Sequence, residues 1–262
     1  DVSVDVGPDC PLLSEVYYNH PGLDDEMEWV ELFNPMAITL DLTGWSLGQG
    51  GADYTFLRAD LEGFIPPSGC FVVGGPGVTI ENGMPTYQQL LNFDPDLQNG
   101  GAVADAMALF HDLAADVGRD TVPIDSFIYG EENSSGLLDA SGRVGTPDLL
   151  EVREGESAAR AGLNPTVWSN PTPSPGLCLP LSFQNLQPPQ GPASGGELLR
   201  LTATGLKPPI EVRLGGVVLA CERTSWTELR CTSPPLARGS YDLSIQIGDG
   251  QTVQSISVYQ AL

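Results

Sequence analysis

The chain alternates short apolar runs with turns rich in glycine and proline over most of its length. Within these runs apolar and polar positions often alternate, which is the pattern of a β-strand with one buried face. In the first two thirds of the chain the clearest predicted strands are 12–18, 28–33, 38–42, 70–73, 103–113 and 124–129. In the last third they are 197–203, 211–214, 217–221, 228–231, 240–247 and 253–259. Short strands at this spacing predict an all-β protein built from sandwiches or barrels.

Charge divides the chain near Pro180. The 262 residues include 34 acidic and 11 basic ones, for a net charge of −23. Six acidic and six basic residues follow Pro180, so the 28 acidic and five basic residues up to that point carry the whole excess. A proline-rich stretch at 170–180 lies at the same place and predicts a stiff extended linker. We therefore predict an N-terminal extension at 1–11, a first domain at 12–178 and a second domain at 179–262.

The same composition excludes several classes of partner. A strongly acidic chain is repelled by DNA, RNA and anionic lipid surfaces, so we expect no nucleic-acid partner. No run of 18 apolar residues occurs, so we expect no membrane insertion. The chain begins at Asp1 without a methionine, which is typical of a processed or trimmed protein.

The five cysteines point to disulfides rather than to a metal cluster, since no CxxC motif occurs and only two histidines are present. Cys221 and Cys231 flank a short segment and would face each other if that segment is a hairpin. Cys10 and Cys178 bracket the first domain and could pair if its termini meet. Cys70 lies in an apolar strand pattern, which predicts a small buried thiol. Two disulfides would imply an oxidising compartment, and the alternative is five reduced thiols in the cytosol.

Clustered carboxylates suggest calcium as the one cofactor to consider. Four of them lie close together between two predicted strands and would repel one another unless a cation binds them: Asp24, Asp25, Glu26 and Glu28. A solvated acidic loop is the simpler interpretation. A second group resembles a calcium loop but misses the usual spacing by one residue and lacks the final glutamate: Asp94, Asp96 and Asn99 before Gly100.

Four aromatic residues are candidates for stacking on sugar rings, namely Tyr17, Tyr18, Tyr87 and Trp226. They would make the protein a carbohydrate-binding module. Packing in the core or at its rim is the alternative for each of them.

Eleven short motifs occur in an order that resembles two known families. Residues 12–176 resemble the bacterial lamin-tail domain through motifs such as Glu-Trp-Val-Glu-Leu-Phe-Asn-Pro (28–35), with longer loops at 74–101 and 130–155. The other matching segments are 13–19, 40–47, 65–73, 124–130, 156–160 and 171–176. Residues 181–262 resemble an IPT/TIG domain through the segments 187–196, 201–205, 212–217 and 231–235. The resemblance implies two immunoglobulin-like β-sandwiches, the first with long loops, and a Cys221–Cys231 disulfide as in extracellular IPT/TIG members.

The two families imply a noncatalytic interaction or structural module of a secreted or cell-surface bacterial protein, working in an envelope or extracellular assembly. The expected partners are other envelope or extracellular proteins, further copies of the same chain, and glycans. Glu15 and Glu31 lie inside predicted strands and could serve as the acid and base of a hydrolase if they share a cleft. The family pattern instead implies that both are structural and bind backbone amides. Because no GxSxG, P-loop or GxGxxG motif is present, we predict that the protein is not an enzyme.

Overall fold

The computed structural model describes residues 10–163, 166–169, 171–179, 181–225, 227–248 and 250–262. All regular secondary structure in these ranges is β-strand, so the predicted all-β class is confirmed. The chain forms two compact units. The first is built from described residues between 10 and 161 and between 166 and 178, and the second mainly from Leu179–Leu262. The predicted extension at 1–11 lies outside the described residues except for its last two positions.

The first unit is a sandwich of two main sheets. Its strands are β1 (Leu12–Tyr17), β2 (Trp29–Phe33), β3 (Leu40–Asp41), β4 (Ser46–Gly50), β5 (Leu57–Asp60), β6 (Phe64–Ile65), β7 (Cys70–Gly74), β8 (Gln89–Leu90), β9 (Asp105–Phe110), β10 (Asp125–Tyr129), β11 (Ala158–Leu163) and β12 (Thr166–Ser169). One sheet has the order β12-β11-β1-β2-β7-β8 and the other β10-β9-β4-β5, while β3 and β6 pair separately. Leu13, Val30, Leu47, Met107 and Phe127 represent the shared core between the sheets.

The outer face of the six-stranded sheet is also covered, which the alternating sequence does not predict. Tyr17 of β1 and Trp29 of β2 lie on this face, and neither is accessible to solvent. The indole N–H of Trp29 donates to the carbonyl of Asn82, and the Tyr87 hydroxyl donates to the carbonyl of Gly77. The loop after β7 therefore folds back over the sheet and buries these aromatic side chains.

The second unit is a sandwich of a four-stranded and a five-stranded sheet. Its strands are β13 (Ser182–Gln187), β14 (Gln190–Gly191), β15 (Leu198–Thr204), β16 (Glu211–Leu214), β17 (Val217–Val218), β18 (Ala220–Arg223), β19 (Glu228–Thr232), β20 (Gly239–Gln246) and β21 (Thr252–Ala261). The sheet orders are β13-β15-β19-β18 and β14-β21-β20-β16-β17. Gly215 and Gly216 join β16 to β17 with φ angles of 59° and 83°, which a two-residue hairpin turn of this hand requires.

The sequence prediction differs from the structure in two places. None of the clearest predicted strands lies between 130 and 170, yet β11 and β12 lie there and β11 pairs with β1. The proline-rich stretch was expected to be an extended linker, but from 171 to 178 it is packed into the first unit. Ser174 and Gly176 donate hydrogen bonds to Glu15 and Glu31 in the sheet, and these contacts hold the stretch in place.

Candidate functional site

Glu15 and Glu31 lie side by side on the outer face of the six-stranded sheet. They are direct partners in the register of β1 and β2, and both carboxylates are buried. Glu15 accepts hydrogen bonds from the Ser157 hydroxyl and from the backbone N–H and hydroxyl of Ser174. Because solvent does not reach this pair, the geometry opposes the hydrolase interpretation and fits the structural role.

Glu31 fastens the 171–178 segment to the sheet. Its carboxylate accepts hydrogen bonds from the Ser14 hydroxyl and from the backbone N–H groups of Gly176 and Cys178. Burial and, to a smaller extent, the nearby charge of Glu15 raise the pKa of Glu31 to about 8, against these three donors. Burial likewise raises the pKa of Glu15, against the donors from Ser157 and Ser174. Both groups therefore bind protons more tightly in the folded protein than in the unfolded chain.

The raised pKa of Glu31 in the folded protein predicts that the free energy of unfolding depends on pH. A carboxyl whose folded-state pKa is raised contributes stability that is full below the unfolded value of 4.5 and declines as pH rises towards about 8. One such proton changes the free energy of unfolding by about 1.4 kcal/mol per pH unit within that window. We expect Glu31→Gln to make the profile between pH 5 and 8 less steep, while Glu28 and Glu15 still contribute to its slope, as measured by urea unfolding followed through tryptophan fluorescence. Parallel profiles for the variant and the wild type would contradict this role for Glu31.

The disulfide pattern corrects one predicted pair. Cys221 and Cys231 are joined as predicted, because they are direct cross-strand partners in β18 and β19, with Cα atoms 4.0 Å apart. The predicted Cys10–Cys178 bond is wrong, since Cys178 is bonded to Cys70 with Cα atoms 5.7 Å apart. Cys70 is therefore not the buried thiol that its strand pattern predicts. In the described part of the chain, only Glu31, Cys70 and Cys178 bring three metal-ligand atoms together, and the disulfide removes both thiolates.

The aromatic candidates for sugar stacking are largely buried, which corrects the prediction for two of them. Tyr17 stacks on Trp29 with ring centroids 5.8 Å apart, and Tyr18 stacks on Tyr129 at 4.3 Å. Neither Tyr17 nor Tyr18 is accessible, so neither can stack on a sugar ring. Tyr87 is half-buried against the same outer-face cluster as Tyr17. Trp226 lies outside the described residues, and its role in ligand binding stays a prediction.

The two acidic loops considered separately in the sequence meet in the first unit. Asn92 donates from its side-chain amide to Asp25 at 3.0 Å, and its amide oxygen accepts from the Glu26 backbone N–H at 3.2 Å. Glu28 is buried rather than part of a solvated loop, and it accepts a hydrogen bond from the Leu97 N–H at 2.8 Å. Burial and, to a smaller extent, the charges of nearby aspartates raise the pKa of Glu28 to about 10, against that donor. The loop carboxylates Asp24, Asp25 and Glu26 are half-buried or exposed.

An acidic concavity that the sequence does not indicate lies beside β10, at the edge of the four-stranded sheet of the first unit. It has a volume of about 290 Å³, and its walls include Asp125, Asp139 and Asp148. The hydroxyl groups along it belong to Ser126, Ser141 and Thr146. The Ser141 N–H and hydroxyl donate to Asp139 at 2.8 Å and 2.6 Å, and Ile128 N–H donates to Asp148 at 3.0 Å. We call this concavity the acidic pocket; in the sequence its three aspartates are too dispersed to suggest a common site.

Comparison with known proteins identifies the second unit. Residues 181–261 match the family model of the IPT/TIG domain, and no curated protein matches the chain. The extracellular region of plexin A4 is similar at 11% identity over 97% of this chain and 34% of that one, with a TM-score of 0.30. A surface glycan-binding protein from Prevotella bryantii is similar at 13% identity over 61% of this chain and 37% of that one, with a TM-score of 0.26.

A protein from Bacteroides thetaiotaomicron is similar at 20% identity over 31% of this chain and 18% of that one, with a TM-score of 0.26. The chain thus spans between 18% and 37% of the length of these three structures. No helix in the ranges that the structure covers is long and apolar enough to cross a membrane. The match over 181–261 identifies the second unit as an IPT/TIG domain, an immunoglobulin-like sandwich of a noncatalytic family.

Proposed function

We propose that the chain is a noncatalytic interaction module of an extracellular or cell-surface protein, in which the first unit recognises a basic segment of a partner protein. The IPT/TIG domain and the two disulfides support the extracellular assignment, since disulfides persist in oxidising compartments. The first unit, a sandwich with long loops, is proposed to be a lamin-tail-like domain on the strength of its sequence motifs. The carboxylates of Glu15 and Glu31 accept hydrogen bonds from the 171–178 segment and hold it on the sheet. This structural use of both groups supports a binding rather than a catalytic role for the protein.

The acidic pocket is the observation that carries the choice of partner. Three carboxylates and several hydroxyl groups line a concavity large enough for the end of one long side chain. Two of the three aspartates already have a positive charge nearby, since Arg160 is paired with Asp125 and the charge of Arg143 acts on Asp139. An arginine or lysine side chain from a partner would bring a further positive charge to the third, Asp148, and donate to its exposed carboxylate beside the Ile128 N–H. The acidic excess of residues 1–180 would speed the encounter with a basic partner.

A matched pair of variants tests this assignment. The probe is a short arginine- and glycine-containing peptide, titrated calorimetrically at 0.15 M salt, where long-range attraction is screened. We expect Asp148→Asn to weaken binding at least about five-fold, which corresponds to roughly 1 kcal/mol. Asp112→Asn removes the same charge from an exposed residue that does not line the pocket, and we expect a change of less than about two-fold.

Three outcomes would count against the proposal. Equal weakening by Asp148→Asn and Asp112→Asn would mean that the peptide responds to net charge alone. Saturable binding of a neutral sugar, lost with Asp148→Asn, would replace the basic partner with a glycan. Light scattering after size separation, run across protein concentration, would reveal self-association. If Asp148→Asn abolished that self-association and left peptide binding unchanged, the partner would be a second copy of the chain.

A further inference from the structure

Glu28 carries a carboxylate oxygen whose hydrogen bonding is incomplete. The residue is 2% exposed, and its Oε2 accepts from the Leu97 N–H at 2.8 Å. Its Oε1 is shielded from solvent and has no hydrogen-bond partner. A buried acceptor left without a partner costs about 1 to 3 kcal/mol, and more if it is charged. Such a cost is relieved by a ligand that supplies positive charge at the oxygen.

Further oxygen-bearing side chains lie close to Glu28 or directly follow Leu97, whose N–H donates to it. Asp24, Asp25 and Asp96 lie close enough for their charges to act on Glu28. Immediately after Leu97, the side-chain oxygens of Gln98 and Asn99 are also buried without a hydrogen-bond partner. Neither segment, 20–28 or 92–101, contains a lysine or arginine. The unpaired oxygens and the surrounding negative charge therefore point to a bound metal ion rather than to an internal ion pair.

The ligand chemistry favours calcium among the common metal ions. All the candidate ligands are carboxylate or amide oxygens, which suit hard cations, and calcium accepts six to eight of them in flexible geometry. In the described residues, the carboxylate oxygens around Glu28 do not yet lie close enough together to hold an ion. The group of three residues whose ligand atoms do lie that close is Glu31 with Cys70 and Cys178. Asp96 is exposed and can turn towards Glu28, while Asp25, also exposed, accepts from Asn92 through Oδ1 and keeps its second oxygen for the ion. Magnesium is less suitable because it demands near-ideal octahedral geometry and loses water reluctantly.

We propose that the first unit binds one calcium ion at Glu28, with Asp24, Asp25 and Asp96 as carboxylate ligands and the oxygens of Gln98 and Asn99 completing the site. Glu26, which the sequence groups with these residues, is exposed and is not among the charges that act on Glu28. The ion would join the 24–28 loop to the 94–99 loop, which Asn92 already bridges. This proposal is independent of the acidic pocket and of its basic partner.

The test is calorimetric titration of the chelator-treated full chain with calcium and, separately, with magnesium. We expect saturable calcium binding with a stoichiometry of one, at least about ten-fold tighter than magnesium binding. Glu28→Gln keeps an acceptor for Leu97 but removes the central charge, so we expect it to weaken calcium binding at least about ten-fold. Asp96→Asn should weaken binding by a smaller factor, and Asp112→Asn should leave it unchanged.

A second measurement keeps the test decisive if Glu28→Gln fails to fold. Calcium that binds only the folded chain raises the urea midpoint of the wild type, and Asp96→Asn should reduce that rise. Asp96 is exposed, so its substitution should leave the fold intact. Absence of calcium binding at millimolar concentration, or unchanged affinity in folded Glu28→Gln or Asp96→Asn protein, would overturn the proposal.

Discussion

Replacing Cys70 and Cys178 together by alanine is expected to lower the free energy of unfolding of the first unit by about 4 to 5 kcal/mol. The bond joins the start of β7 to a segment 108 residues further along the chain, so it restricts a long loop in the unfolded state. It also fixes the end of the segment that donates to Glu15 and Glu31. Urea unfolding followed by tryptophan fluorescence measures the change, since three of the four tryptophans, Trp29, Trp45 and Trp168, belong to the first unit.

The Cys221–Cys231 bond provides the matched control. It spans ten residues within the second unit, where β18 and β19 already pair, and its loss is expected to cost about 2 to 3 kcal/mol. The double alanine variant of Cys221 and Cys231 should leave the unfolding of the first unit unchanged. An unaltered urea midpoint in the Cys70/Cys178 double variant would contradict the anchoring role of that disulfide.

The sequence predicts the fold class because local patterns encode it. In the second unit, residues 211–214 alternate exposed and buried side chains. The Gly215–Gly216 pair that follows predicts a hairpin turn, because glycine readily adopts the positive φ angles that such a turn needs. Those signals lie within a few residues of the element that they define. For the same reason Cys221 and Cys231 could be paired correctly, since a short hairpin brings its ends together.

The covering of the outer face could not be predicted from such signals. Alternation in β1 places Tyr17 and Glu15 opposite the core, where an uncovered sheet would expose them to water. The segments that cover them come from beyond β7 and from 171–178. Glycine and proline in those segments indicate a loop without indicating where it packs. The Cys70–Cys178 bond depends on the same long-range packing, which is why the proximity of the domain termini wrongly predicts Cys10 as the partner of Cys178.

The sequence does not predict β11, because its residues have weak strand propensity and include a charge. It begins Ala158-Ala159-Arg160, and alanine is depleted in strands while arginine is rarely buried. The structure buries Arg160 because its guanidinium meets the carboxylate of Asp125 and its Nε–H donates to the carbonyl of Leu13. Local sequence cannot anticipate a partner 35 residues away. For the same reason the calcium site proposed at Glu28, which needs residues from two loops, appears in the sequence only as separate acidic groups.

Asp125→Ala is expected to destabilise the first unit by about 3 to 5 kcal/mol. Asp125 begins β10 in one sheet, and its carboxylate accepts from Leu13 N–H at 2.8 Å and from Arg160 at 2.6 Å in the other. Removing it leaves the guanidinium of Arg160, whose side chain is 3% exposed, without this carboxylate, and leaves the Leu13 N–H without this acceptor. Loss of the carboxylate therefore also removes a direct link between the two sheets.

A double variant separates the buried charge from the lost packing. In Asp125→Ala with Arg160→Met, the buried positive charge is gone, while much of the side-chain volume over Trp168 is kept. We expect this double variant to be more stable than Asp125→Ala alone, because an uncompensated buried charge costs more than the loss of both partners. Urea unfolding at pH 7 measures all three proteins. A loss below about 1 kcal/mol in Asp125→Ala, or no recovery in the double variant, would show that solvent or a nearby group compensates Arg160 and that the ion pair does not hold the sheets together.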